Sequence, residues 1–231
     1  MIESFDRIVI RVPDLAAACE EYATLLGSRP LLLDGDKRAW LALSNTVLEF
    51  AEGPVASATI VSLALVSAGS DVADAALDND LGLDLRVGDG RYTAAFRDDC
   101  PQGCLPDTGV DHLVLRSVDA DRCISLFNGR LGIRLALDQD VPEWGGRMLF
   151  FRTGKLTLEV IASHTVEPGA VDAFWGLTFH LPDIEVRAAQ LRDLGVELSD
   201  VRDGRKPGTR VATVHSHCLG LPTLLLQPAP R

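Results

Sequence analysis

A chain of 231 residues, 47% of them hydrophobic, has room for one large domain or two of ordinary size and ample material for their cores. Its formal net charge of −11 argues against the clustered Lys and Arg that phosphate contacts need, so no nucleic-acid partner is expected. The longest apolar run, Val55 to Val66, is broken by serines and a threonine and falls short of the ~20 residues a membrane helix needs, so no span is expected either.

In chain order, MIESFDRIVIRV carries acids where a secretory leader carries bases and enters strand-like sequence at once, which predicts a cytoplasmic protein. The next stretch, Asp14 to Leu26, predicts a helix. Asp14 is its N-cap, Leu15, Ala18, Tyr22 and Leu25 form an apolar stripe, and Gly27 is its stop. NTVLEFAEG then closes a first unit, residues 3–53, with Glu49 on a strand. A fainter second unit lacks histidine: strand SATIVSLALV, helix SDVADAALDND capped by Ser70, and strands LGLDLRV and RYTAAFR around the hairpin signal GDG. From Asp98 to Thr108, DDCPQGCLPDT is dense in turn residues and marks the expected domain boundary. Cys100 and Cys104 flank PQG there. Their spacing without a second pair is a poor zinc signature, and the five scattered cysteines fit reduced thiols.

The third unit is the most legible. DHLVLRSVD opens it as a strand carrying His112, Asp119 to Asn128 is helix-like, LALD and GRMLFFR are strands about the turn VPEWGG, and KLTLEVI closes it with Glu159. The fourth unit begins at FWGLTFHLPD, continues into a helix from Asp183 to Leu194 with Ile184, Ala188, Leu191 and Leu194 at helical spacing, and ends in TRVATVHSH and PTLLLQP. DRIVIRVPD (Asp6 to Asp14) lies over DHLVLRSVD (Asp111 to Asp119) in a register that still holds at Gly27 and Gly132, and Glu49 lies over Glu159 after a short insertion. The chain is therefore read as four β-α-β-β-β units in two pairs. Charge is unequal between the pairs, with 17 acids and 8 bases in residues 1–106 against 16 and 14 in the rest.

On HLVLRSVD with its helix and LGI, on LTLEV and on LPDIEVRAAQLRDLGVEL, the chain resembles the vicinal oxygen chelate superfamily of lactoylglutathione lyase, bleomycin-resistance proteins and extradiol dioxygenases. The resemblance implies an α+β fold in which four βαβββ modules pair into two cup-shaped mixed β-sheet domains with helices outside. The glyoxalase-like domains would be residues 1–100, with a degenerate site, and residues 108–231, with the candidate site. It also implies a divalent metal ion (Zn, Ni, Fe, Mn or Co) held by the first-strand histidine and last-strand glutamate, here His112 and Glu159. At the matching positions stand Arg7 and Glu49 in the first module, and Gly176 and Leu224 in the fourth.

Two protein ligands leave open positions at which a substrate could chelate the ion through adjacent oxygens. His215 and His217, expected on one face of a strand VATVHSH, are candidate catalytic bases. His180, on the ligand-bearing face but roughly 13 Å further along by strand rise, is a candidate substrate contact, with Arg116 and Trp175. Without a metal, His112 is a hydrogen-bonded imidazole beneath a sheet and Glu159 pairs with Arg116 or Arg152. Glu49 is expected to pair with Arg7. VRDGRKPGTR brings four basic residues before the VATVHSH strand and could draw an anion to the cup. The sequence thus supports a metal-dependent lyase or isomerase acting on a small oxygen-rich molecule. A metal-free binding protein and an extradiol dioxygenase are the alternatives, and any self-association is expected to be a closed dimer.

Overall fold

The computed structural model describes residues 1–33, 37–99, 104–144 and 146–230; Cys100, the middle of the expected boundary and the Trp144 side chain lie outside this description. Two eight-stranded mixed sheets form. The first is built from β1 (Ile2–Val12), β2 (Leu31–Leu32), β3 (Arg38–Leu43), β4 (Val47–Glu52), β5 (Thr59–Ser67), β6 (Ala75–Leu77), β7 (Asp84–Gly88) and β8 (Cys104–Leu105), in the order β2-β3-β4-β1-β5-β7-β6 with β8 on β3. The second is built from β9 (Gly109–Ser117), β10 (Arg134–Val141), β11 (Gly146–Thr153), β12 (Leu156–Ser163), β13 (Ala173–His180), β14 (Arg202–Asp203), β15 (Arg210–Val214) and β16 (Thr223–Gln227). Its order is β10-β11-β12-β9-β13-β16-β15-β14. Each sheet centres on an antiparallel pair, β1/β5 or β9/β13, flanked by parallel partners, so two modules meet edge to edge.

Strand alternation decides which side chains face the core. Ile8, Ile10 and Val12 of β1, and Leu113 and Leu115 of β9, are buried in the main apolar cluster, while Arg7, His112 and Val114 take the other face. Helix α1 (Leu15–Leu26) buries its expected stripe against that core. Its Asp14 side chain accepts from the Ala17 amide and Gly27 ends it in the left-handed region at φ 86°, a conformation that costs glycine little. Helix α4 (Ile184–Asp193) likewise buries Ile184, Ala188 and Leu191, but Leu194 falls beyond its end and is exposed. The helix of the third module starts as a single α turn, α3 (Ala120–Cys123), and continues as a wider π-helix to Arg130.

The second module departs from its sequence reading. The stretch expected as a helix from Ser70 contains β6, and RYTAAFR, expected as a strand, lies in helix α2 (Arg91–Asp99). Asp74 explains the first change: its carboxylate accepts from Arg7 Nη2 at 3.0 Å and from Arg86 Nε at 2.6 Å, which ties the segment across the sheet. For α2, the Asp89 carboxylate accepts from the Arg91 amide at the helix start, while Thr93, Phe96 and Arg97 share one side at i, i+3, i+4 spacing. Phe96 packs edge-on to Trp40, and Arg97 donates to the Leu43 and Thr46 carbonyls. Because Trp40 shares a sheet face with its cross-strand partner Glu49, α2 lies inside the amino-terminal cup, unlike the other three helices.

Candidate active site

Cross-strand pairing puts the four modules in one register. Glu159 pairs with Val114, two residues after His112; Glu49 pairs with Val9, two after Arg7; and Leu224 pairs with Thr178, two after Gly176. The same rule, run across β1/β5 and β5/β7, gives Ser62 and Arg86 in the second module. Each cup therefore has four equivalent inward positions: Arg7, Glu49, Ser62 and Arg86 in one, His112, Glu159, Gly176 and Leu224 in the other.

In the amino-terminal cup these positions close on themselves. Arg7 Nε lies 2.8 Å from Glu49 Oε2, a charge contact without hydrogen-bond alignment, as the pairing of these residues in sequence suggested. Trp40 Nε1 donates to the same oxygen at 2.9 Å. With Asp74 and Arg86, and with Arg38 and Asp6 at its edge, the cluster pairs guanidinium groups with carboxylates, so the cations a metal would supply are already covalently present.

The carboxy-terminal cup is different. His112 Nε2 faces the Glu159 carboxylate at 3.4 Å and the Thr178 hydroxyl at 2.7 Å, while Nδ1 lies 3.0 Å from Asp111. The Asp111 carboxylate accepts a hydrogen bond from Nδ1–H, which leaves the Nε2 lone pair facing the cup. Burial works to raise the Asp111 carboxyl, but the hydrogen bond to His112 and the nearby charges of His112, His180 and Arg152 outweigh it and hold it below the usual range. Burial pushes the Glu159 carboxyl up, against the opposing pull of His112 and Arg205. Neither Arg116 nor Arg152 pairs with Glu159: Arg116 lies 4.1 Å over the Trp175 ring, and Arg152 donates to Thr157.

The other sequence candidates separate. His180 is half-buried on the same face of β13, paired with Gly109, and burial lowers its imidazole below the ordinary value. His215 and His217 do not share a strand face. Strand β15 stops at Val214, His215 is exposed, and His217 and Leu219 take left-handed φ of 58° and 52° in a turn that reaches the amino-terminal half at Glu21 and Ala58. Thr178 and Asp111 are not among the sequence candidates, while Arg205 belongs to the basic segment VRDGRKPGTR, which is. The strand alternation already placed Thr178 between Gly176 and His180 on one face, so Thr178 was findable; the inward reach of Asp111, adjacent to His112, was not.

A divalent ion fits half of this set. His112 Nε2 and Glu159 Oε2 are suitable donors on adjacent strands, but Leu224 has none, and a Cβ on Gly176 would lie 2.6 Å from the Pro222 carbonyl oxygen, so that position cannot carry a side chain without a backbone shift. Among the described residues no three His, Cys, Asp or Glu side chains converge as a metal site. The remaining coordination positions would fall to solvent or substrate, as catalytic sites require.

Ionised and buried, Glu159 costs stability unless a cation covers it. Its folded pKa lies above the unfolded one, so the cost is present where both states are ionised and is relieved as pH falls and the folded state protonates first. In chelator-treated protein Glu159→Gln is therefore expected to be more stable than wild type at neutral pH by about 1 kcal/mol, a few degrees in melting temperature, with the gain shrinking as pH falls into the carboxylate range. Thermal melts across pH check this; a Gln variant less stable at neutral pH contradicts it.

By architecture this is a paired-cup fold with one cup locked by its own ion pairs and the other holding a histidine and a glutamate. The profile of the Glyoxalase/Bleomycin resistance protein/Dioxygenase superfamily, the vicinal oxygen chelate group, matches residues 111–213, so the carboxy-terminal half of the chain is similar to that superfamily. A mutant 4-hydroxymandelate synthase from Streptomyces coelicolor is similar over 100% of this chain and 94% of its own, with a TM-score of 0.70 and 15% identity, a likeness of fold. Methylmalonyl-CoA epimerase from Mycobacterium tuberculosis covers 53% of this chain and 89% of its own, at a TM-score of 0.45 and 21% identity. No curated protein matches the sequence. No helix among the described residues is long and apolar enough to cross a membrane.

Proposed function

We propose that the carboxy-terminal cup is the working site of a metal-dependent lyase or isomerase for a small oxygen-rich substrate. The observation that carries this is the buried Glu159 carboxylate, 3.4 Å from His112 Nε2, with Arg116 and Arg152 both engaged elsewhere. A divalent ion held by His112 and Glu159 would supply Lewis-acid polarisation of two adjacent substrate oxygens. Asp111 fixes the His112 tautomer and orientation, and the Thr178 hydroxyl sets the ring from the other side. The proton-moving role expected of His215 or His217 passes in this reading to His180, because burial keeps that imidazole neutral and its strand directs it to the same face. His180 stands two residues beyond Thr178, roughly 7 Å along the strand, close enough to meet the far side of a bound molecule.

A specific observation also supports a metal-free binding protein: the Thr178 hydroxyl already satisfies His112 Nε2, and the fourth-module positions offer no donors. Elemental analysis of protein purified without chelator separates the two. Near-stoichiometric divalent metal supports the enzyme, and its absence even after incubation with Mn, Fe, Co, Ni or Zn salts moves the assignment to the binding protein.

A further inference from the structure

Strand β13 carries one residue more than its partner requires. Leu115 pairs with Phe174 and Val114 with Gly176, so Trp175 is the extra residue of a β-bulge. Phe174 on one side of it is buried in the main core. Trp175 is released from the ladder and keeps 38% of its surface exposed. Its ring meets the guanidinium of Arg116 at 4.1 Å, and Arg116 projects from the same face of β9 as His112 and Val114. Among the described residues Arg116 meets no carboxylate, although the chain carries 33 acids to 22 basic residues. Stacking holds the guanidinium plane and leaves its N–H edge open for a bidentate acceptor. Leu137, 45% exposed, and Phe150, paired with Glu159, supply apolar surface on the other flank.

We propose that the Arg116–Trp175 pair is the anion anchor of this cup, and that the molecule bound there carries a carboxylate or phosphate on an apolar body. The inference rests on the carboxy-terminal cup being the working one, but not on a metal at His112. Four residues of strand separate Arg116 from His112, roughly 13 Å, so the anionic group and the oxygens held near His112 belong to opposite ends of the ligand.

Calorimetric titration of the full chain with 3-phenyllactate, its uncharged amide and phenyl phosphate tests this. Wild type is expected to bind at least one of the two anions about tenfold more tightly than the amide, and the tighter of the two identifies the headgroup. Arg116→Gln should lose that preference while leaving amide binding and metal content unchanged. Arg116→Lys should recover only part of it, because a lysine keeps the charge without the planar fork. His112→Ala separates the two hypotheses: loss of metal with the anion preference intact supports the anchor. Wild-type protein that binds neither anion, or an Arg116→Gln variant with the wild-type preference, overturns it, whatever the metal content.

Discussion

His112→Ala is expected to bring bound divalent metal down to background in protein that otherwise folds and melts normally. The argument is one of ligand number. The cup offers two donors where a complete family set has four, so removing one leaves the ion to Glu159 and solvent. The fourth-module positions cannot substitute, because the Pro222 carbonyl blocks a side chain at Gly176 and Leu224 carries no donor atom. Asp111→Asn should weaken retention by about 10- to 100-fold, through loss of the carboxylate that fixes the ring. Elemental analysis after gel filtration reads both. Full occupancy in the alanine variant would place the ion elsewhere and dissolve the proposed site.

The second large effect belongs to the other cup. Arg7→Met is expected to destabilise the protein by about 3–5 kcal/mol, because it leaves a buried Glu49 and a largely buried Asp74 facing each other without their shared cation. If uncompensated charge is the cause, the triple change Arg7→Met, Glu49→Gln, Asp74→Asn should restore much of the loss. Chemical denaturation measures it, and metal content should not move in either variant. A single substitution that costs under 1 kcal/mol would show that Arg86 and Arg38 already neutralise the carboxylates.

How far the chain could be read without coordinates depended on where a segment's energy comes from. The repeat in β1 and β9, the stripe and Asp14 cap of α1 and the Ile184, Ala188 and Leu191 spacing of α4 follow from local periodicity and capping, and they stand in the structure. The pairing of Glu49 with Arg7 followed from seeing which module positions coincide. The second module differs from its sequence pattern because its conformation is set from a distance: Asp74 answers to Arg7 and Arg86, whereas its alanine-rich neighbourhood favours a helix in isolation. The turn of His217 and Leu219 was hidden for another reason, since non-glycine residues with positive φ leave no compositional mark. The bulge at Trp175 shifts pairing by one residue and was likewise invisible in the alternation.

The main apolar cluster runs without a break from Ile2 to Leu225 through both sheets and all three outer helices. The seam is also stitched by polar contacts. The Asn45 side chain bonds both the amide and the carbonyl of Val110 and the carbonyl of Lys155, and Arg187 donates to the Thr24 and Leu25 carbonyls. Severing the chain at its turn-rich middle would therefore strand apolar surface on each piece. The two halves are expected to unfold as one cooperative unit, for which calorimetry should record a single transition with matching calorimetric and van't Hoff enthalpies. A cup closed by its own ion pairs thus contributes the other half's foundation, which is reason enough for a duplicated chain to carry a copy whose centre is filled by its own side chains.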